Sequence, residues 1–172
     1  MAGAGTSNTD FILRQASPEE AIYVHELAHR IWKEHYVPII GTDQVDYMLG
    51  KFYTVNALQN QMANGHVFWL IEMDGNPHGY ISVTNQEQGK YFLQKFYLDN
   101  GFRGKGLGKQ VLNSLIDQYP DLHELRLTVN RQNYKSINFY FKVGFTIEYC
   151  LDMDIGEGYE MNDFQMLLKR FL

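Results

Sequence analysis

The segment FYLDNGFRGKGLGKQVL, residues 96–112, restricts the fold more than any other part of the chain. It joins an aromatic, strand-like run (KYFLQKFYLD, 90–99) to a run with helical apolar spacing (KQVLNSLIDQY, 109–119). Between them, Gly104, Gly106 and Gly108 let the backbone approach a ligand closely and take positive φ. The first N–H groups of a helix have no intrahelical acceptor, and the helix dipole adds partial positive charge there. Strand, glycine loop and helix N-terminus together predict an anion site, most naturally for phosphate. Arg103, Lys105 and Lys109 add formal charge to it.

Three phosphate-binding patterns compete for this loop. A P-loop requires G-x-x-x-x-G-K-[ST]. Lys109 follows Gly108, but Arg103 stands at the first glycine and Gln110 replaces the magnesium-binding hydroxyl. A dinucleotide fingerprint requires G-x-G-x-x-G. Gly104 and Gly106 fit, but Lys109 occupies the third glycine. The pattern [RQ]-x-x-G-x-[GA] is matched throughout by Arg103, Gly106 and Gly108.

In this setting the third pattern resembles the GNAT superfamily of acyl-CoA-dependent N-acyltransferases, and the resemblance is strongest over residues 91–145. It implies that Arg103, Gly104, Lys105, Gly106, Leu107, Gly108 and Lys109 bind the pyrophosphate of coenzyme A, largely through backbone amides. It also implies that the preceding strand is bulged and splays from the next. The pantetheine arm then pairs with backbone at Phe96 and Leu98. A second segment, LTVNRQNYKSINFYFKVGF (127–145), is similar to a later run of the same family. There Asn133 matches an asparagine that contacts the cofactor arm, and Tyr140 a tyrosine whose hydroxyl faces the coenzyme A sulfur. Alone, Asn133 reads as a helix cap and Tyr140 as a core aromatic. Their spacing from the glycine loop, with Gly144-Phe145 following, favours the functional reading.

The rest of the chain is consistent with one α/β domain over residues 9–172, preceded by a small, polar segment (1–8) expected to be a flexible end or an expression remnant. Pattern and turn signals place a strand at 11–16 and a helix starting at Ser17-Pro18, stopped by Pro38. Further helices are expected after Thr42 and over 55–63, with strands at 66–73, 79–85, 90–99, 125–130, 145–154 and 164–171. The fold expectation is the GNAT arrangement: a mixed, mostly antiparallel sheet of six to seven strands flanked by helices. Net charge is −5, which argues against nucleic acid as a partner and suits a cationic small molecule. No run is long and apolar enough for a bilayer. The expected protein is therefore cytoplasmic, binds no membrane, and is compatible with a homodimer. The single cysteine, Cys150, reads as a buried strand residue.

Residues 25–35, HELAHRIWKEH, contain the zinc-protease signature H-E-x-x-H. A helix places His25 and His29 on one face. The three-histidine version needs a glycine where Trp32 stands, and on a continuous helix His35 lies about 15 Å along the axis from His25. Val24, Leu27, Ala28 and Ile31 form the apolar stripe, with both histidines toward its edge. The stretch reads as a scaffold helix, and no metal is expected.

The chemistry implied by the resemblance is acetyl transfer from acetyl-CoA to a primary amine by direct attack. Tyr140 acts as general acid toward the leaving thiolate, and a backbone N–H of the bulged strand stabilises the oxyanion. Many relatives carry a glutamate base on the strand before the loop. Here that strand has none, and Phe92 stands near the expected place. Glu34, Glu148 and Asp163 remain alternatives. The acceptor groove is expected along residues 28–50 and 154–164, which are similar to bacterial polyamine or diamine acetyltransferases. Trp32, Glu34, Tyr36, Tyr97 and Asp163 are the candidate acceptor residues. A protein lysine or N-terminal amine is the alternative acceptor, and a non-catalytic acyl-CoA sensor the alternative function.

Overall fold

The computed structural model describes residues 10–170, so the N-terminal segment 1–8 lies outside the described residues. The strands are β1 (Ile12–Gln15), β2 (Val67–Met73), β3 (Asn76–Glu87), β4 (Lys90–Leu98), β5 (Glu124–Asn130), β6 (Thr146–Gly156) and β7 (Tyr159–Lys169). The helices are α1 (Ala21–His35), α2 (Val37–Ile40), α3 (Thr42–Phe52), α4 (Val55–Ala63), α5 (Leu107–Asp117) and α6 (Tyr134–Lys142). The strands form one sheet in the order β1-β2-β3-β4-β5-β7-β6. Every pairing is antiparallel except β4 with β5. This is the mixed, mostly antiparallel seven-stranded sheet expected.

Local chemistry explains most boundaries. Ser17 and Glu20 form a capping box, which opens a 3-10 turn over Pro18–Glu20 and then α1. Asp74 and Gly75 both take positive φ, 52° and 77°, the geometry of a two-residue hairpin between β2 and β3. Glu157 and Gly158 (54° and 78°) do the same between β6 and β7. That second turn lets β7 begin at Tyr159, five residues before the sequence pattern suggested. Pro38 starts a new turn of helix instead of only ending one, because it falls in the first turn of α2, where its missing N–H has no acceptor to lose. Cys150 is exposed, contrary to the sequence expectation, since β6 is an edge strand that pairs only with β7.

Each face of the sheet packs its own core. On one side, Leu107, Val111, Leu112 and Leu115 of α5 and Ile137 and Tyr140 of α6 meet Ile81, Leu93, Leu125 and Leu127. On the other, Val24, Leu27, Ala28 and Ile31 of α1 join Val45, Leu49, Leu58, Phe68 and Tyr80. Fully burying a side chain of this kind contributes about 1.5–3 kcal/mol. Gly79 holds β3 close to β4: a Cβ there would sit 2.5 Å from the Tyr97 carbonyl oxygen.

The feature that positions the site is an interruption in the sheet. β4 and β5 pair only over Lys90–Phe92 and Glu124–Arg126. Next to that pairing, β4 bulges: Lys95 pairs with Ser82 and Leu93 with Val83, leaving Gln94 as the extra residue. Past the bulge, β4 runs on to Leu98 along β3, while β5 runs to Asn130 along β7. The two strands diverge, and each leaves backbone groups unpaired along the gap.

Candidate active site

The glycine loop ends at the start of α5. Gly104 (φ 79°) and Gly106 (φ 74°) take left-handed conformations, and Gly106 is the N-cap of α5. Gly108 serves differently: a Cβ there would stand 3.1 Å from the Phe139 ring, so its smallness lets α5 approach α6. No acidic residue occupies the first turn of α5, and Lys105 and Lys109 are exposed beside it. The loop is therefore an anion cradle of backbone N–H groups flanked by two lysines. Leu107, by contrast, points into the core.

Arg103 departs from the sequence expectation. Its guanidinium turns back from the loop, donating from Nε to the Leu98 carbonyl (2.8 Å) and from Nη1 to His35 Nδ1 (3.0 Å). A guanidinium cannot accept, so His35 Nδ1 must be the bare nitrogen. Arg103 thus braces the loop against the end of α1. Burial and the Arg103 charge both push the His35 pKa below its ordinary value.

His25 and His29 have structural partners. His25 Nδ1 donates to the Tyr53 carbonyl (2.7 Å) and His29 Nδ1 to the His25 carbonyl (2.8 Å). The first bond ties α1 to the C-terminal end of α3, and the second stays within α1. No cluster of three His, Cys, Asp or Glu suited to a metal occurs among the described residues.

Tyr140 and Asn133 lie at the gap between β4 and β5. Tyr140 is 8% exposed and wedged between Phe139 and Phe145, each ring 5.3 Å away. Burial raises its pKa well above that of a free phenol, and the next contribution is Tyr36, on the other face of the sheet. The phenol therefore stays protonated, as a proton donor must. Phe96 points to the same side, its ring 6.0 Å from that of Phe139, and Leu98 is buried behind it. Asn133 is 2% exposed. Its Oδ1 accepts from Ser136 N (3.3 Å) as the cap of α6, and its side chain also bears on His35 and Tyr36.

Across the gap, on the α1 face, lies a cavity of about 80 Å³ lined by Trp32, Tyr36, Gln94, Tyr97, Thr128 and Asp163 among others. Its aromatic wall is tight. Trp32 stacks 4.5 Å from Tyr36 and 5.6 Å from Tyr97, and the Tyr36 and Tyr97 hydroxyls are 3.4 Å apart. Trp32 Nε1 donates to the Tyr80 hydroxyl (3.2 Å), which fixes the indole. Asp163 is 3% exposed, and burial pushes its carboxyl up to about 6, with the Thr128 hydroxyl opposing the shift. Ile40, Gln44 and Asn130 are shared with a second, larger hollow of about 310 Å³ that Arg131, Glu160 and Asn162 also line.

Of the candidate acceptor residues, Trp32, Tyr36, Tyr97 and Asp163 come together here. Glu34 does not: it is exposed and accepts from Asn100 Nδ2 (2.7 Å), because its place on α1 faces the loop before α5. Gln94 and Thr128 were not legible as cavity residues. Gln94 is there only because of the bulge, and Thr128 only because β5 leaves β4. Lys95 was also missed. Its ammonium lies over the Tyr53 and Phe68 rings (5.3 and 5.7 Å), and burial lowers its pKa to about 8.

The family profile described as Acetyltransferase (GNAT) family matches residues 21–145. A spermine/spermidine N(1)-acetyltransferase of Bacillus subtilis is 30% identical over 73 residues, covering 41% of this chain and 48% of that protein. The peptidyl-lysine N-acetyltransferase YjaB of Escherichia coli is 28% identical over 86 residues, 49% of this chain and 53% of that protein. The chain thus spans about half the length of the curated relatives it matches. Among solved structures, a PaiA N-acetyltransferase from Thermoplasma acidophilum in complex with coenzyme A superposes with a TM-score of 0.78 at 26% identity, over 94% of this chain and 99% of that one. With the glycine loop, the parted strands and Tyr140 in one place, and the profile covering most of the chain, this protein belongs to the GNAT acetyltransferase family.

Proposed function

We propose that the chain transfers an acetyl group from acetyl-CoA to a small primary amine that carries further cationic nitrogen, as polyamines and diamines do. The observation that carries this reading is the cavity across the β4–β5 gap, aromatic on one wall with a single buried carboxylate on another. Aromatic faces and a carboxylate attract an alkylammonium. The cavity is narrow, which suits an unbranched aminoalkyl end, and the adjoining larger hollow leaves room for the rest of a longer amine.

The residues on the opposite side fit acetyl-CoA. The amides of residues 104–108 and the start of α5 receive the pyrophosphate, with Lys105 and Lys109 beside it. The unpaired edge of β4 from Phe96 to Leu98 receives the pantetheine amides. Bound there, acetyl-CoA supplies the activated carbonyl. Tyr140, held protonated by burial, donates to the departing sulfur. Trp32, Tyr36 and Tyr97 shield the amine from water and orient it toward the gap.

The test is thiol release from acetyl-CoA with putrescine, spermidine, spermine and a lysine peptide. Turnover of the free amines with at least tenfold lower kcat/KM for the peptide is expected. The reverse order would assign the cavity to a peptidyl lysine, as in the relative named for that activity. Coenzyme A binding without turnover of any amine would make the protein a sensor.

A further inference from the structure

We propose that Asp163 is the group that takes the proton from the incoming ammonium, an assignment that rests on the amine-acetylation reading above. An alkylammonium has no lone pair, so something must deprotonate it before attack. β4 supplies no carboxylate: its charged residues are Lys90 and Lys95. Glu34 is held by Asn100 outside the cavity. Glu148 is held by Arg126 (3.1 Å) and Gln165 (2.8 Å), farther along the sheet. Glu160 lines only the outer hollow.

Asp163 alone combines burial with the right position. It lies on β7 in register with Asn130, the last residue of β5, and therefore beside the part of β5 that has left β4. Its cavity is that of Tyr36 and Tyr97. The groups facing it are Tyr36 from α1, Thr128 from β5 and, beyond β5, Arg131. Arg131 is itself paired with Asp152 of β6 (2.8 Å), so Asp163 has no committed counter-ion among the described residues. A raised carboxyl suits a proton acceptor, because at about 6 it is ionised at neutral pH yet more basic than an ordinary aspartate. Burial among rings also disfavours the ammonium–carboxylate pair relative to the neutral amine and acid.

The ammonium gives one proton to the Asp163 carboxylate. The neutral nitrogen forms a bond to the thioester carbonyl carbon, and the C–S bond breaks. Tyr140 gives its proton to the departing sulfur and regains one from the nitrogen as that becomes an amide. Asp163 releases its proton to solvent, so one proton leaves per turnover.

The experiment is the pH dependence of kcat and of kcat/KM for the amine, from pH 5 to 9 at saturating acetyl-CoA, with whichever of putrescine, spermidine and spermine turns over fastest. Wild type is expected to show an acid limb in kcat/KM with a midpoint near 6. Asp163→Asn is expected to lose that limb and to lower kcat at pH 7 by about 100-fold or more. Its residual rate should climb tenfold per pH unit as free amine accumulates. Its melting temperature at pH 8 should be no lower than wild type, since it removes a buried charge. Thr128→Val should move the limb to higher pH, because the hydroxyl now holds the carboxyl down. His35→Asn should leave the limb in place, because His35 lies against Arg103 and is not among the groups acting on Asp163. A D163N enzyme that keeps the limb and most of its kcat but raises the amine KM would make Asp163 a binding residue and overturn the proposal. So would loss of the limb in H35N. No turnover of any polyamine by wild type removes the functional reading and this inference together, whereas an unchanged D163N profile removes only the inference.

Discussion

In the proposed site the phosphate-facing groups on the α5–α6 side of the sheet are mainly backbone amides, whereas the acceptor-facing groups on the α1–α4 side are side chains drawn from four elements. The cradle depends on two positive-φ glycines and one helix terminus, all within residues 104–108. The cavity depends on Trp32 and Tyr36 from α1, Tyr97 from β4, Thr128 from β5 and Asp163 from β7. Backbone recognition reads a phosphate and tolerates varied side chains. On the proposed reading, side chains recognise the acceptor, so a change at any of those five positions should change it.

Tyr140 is where the two halves meet, and its removal should have the largest effect. Tyr140→Phe keeps the ring between Phe139 and Phe145 and deletes only the hydroxyl, the proposed proton donor. A fall in kcat of about 100- to 1,000-fold is expected, with the acetyl-CoA KM within threefold of wild type. An unchanged kcat would take Tyr140 out of the chemistry and leave it as packing.

A pair of substitutions probes the division itself. Gly106→Val forces a β-branched residue to φ 74°, a strain of about 1–3 kcal/mol, and should raise the acetyl-CoA KM about tenfold without changing the amine KM. Tyr36→Phe should do the opposite, raising the amine KM several-fold and sparing acetyl-CoA. If both variants moved both constants equally, the two halves would not be separable.

The His35–Arg103 contact joins the halves and should make cofactor binding sensitive to acid. Folding holds His35 neutral and its pKa below 6.5. The bare Nδ1 that accepts from Arg103 is therefore present at neutral pH and is lost as pH falls through the folded pKa. Protonation sets two cations against each other and frees Arg103 from its brace. The acetyl-CoA KM should rise several-fold between pH 7 and pH 5, and His35→Asn should flatten that dependence. The smallest effect is expected from Lys105→Ala with Lys109→Ala. Exposed charges of this kind contribute about 0–1 kcal/mol each and are screened by salt. The acetyl-CoA KM should rise two- to fivefold at low salt, and the difference should shrink at 0.5 M.

Much of this was legible before the structure, and unevenly so. The cradle was legible because its physics is local: Gly104, Gly106 and the start of α5 are consecutive, and positive φ and free N–H groups belong to the backbone itself. The helix start at Ser17-Pro18 was legible for the same reason. The side of Arg103 was not, since its partners are a carbonyl on β4 and a histidine at the end of α1. Cys150 was misplaced because an edge strand and a central strand carry similar residues, and only the strand order tells them apart. The amino-acid sequence alone determined the glycine loop at the start of α5 and the helix on either side of the gap, because both follow from local backbone chemistry; the roles proposed for that loop and for Tyr140 rest on the family resemblance. The tertiary structure decided which carboxylate reaches the gap, because pairing β7 with the part of β5 that has left β4 brings together residues more than sixty positions apart.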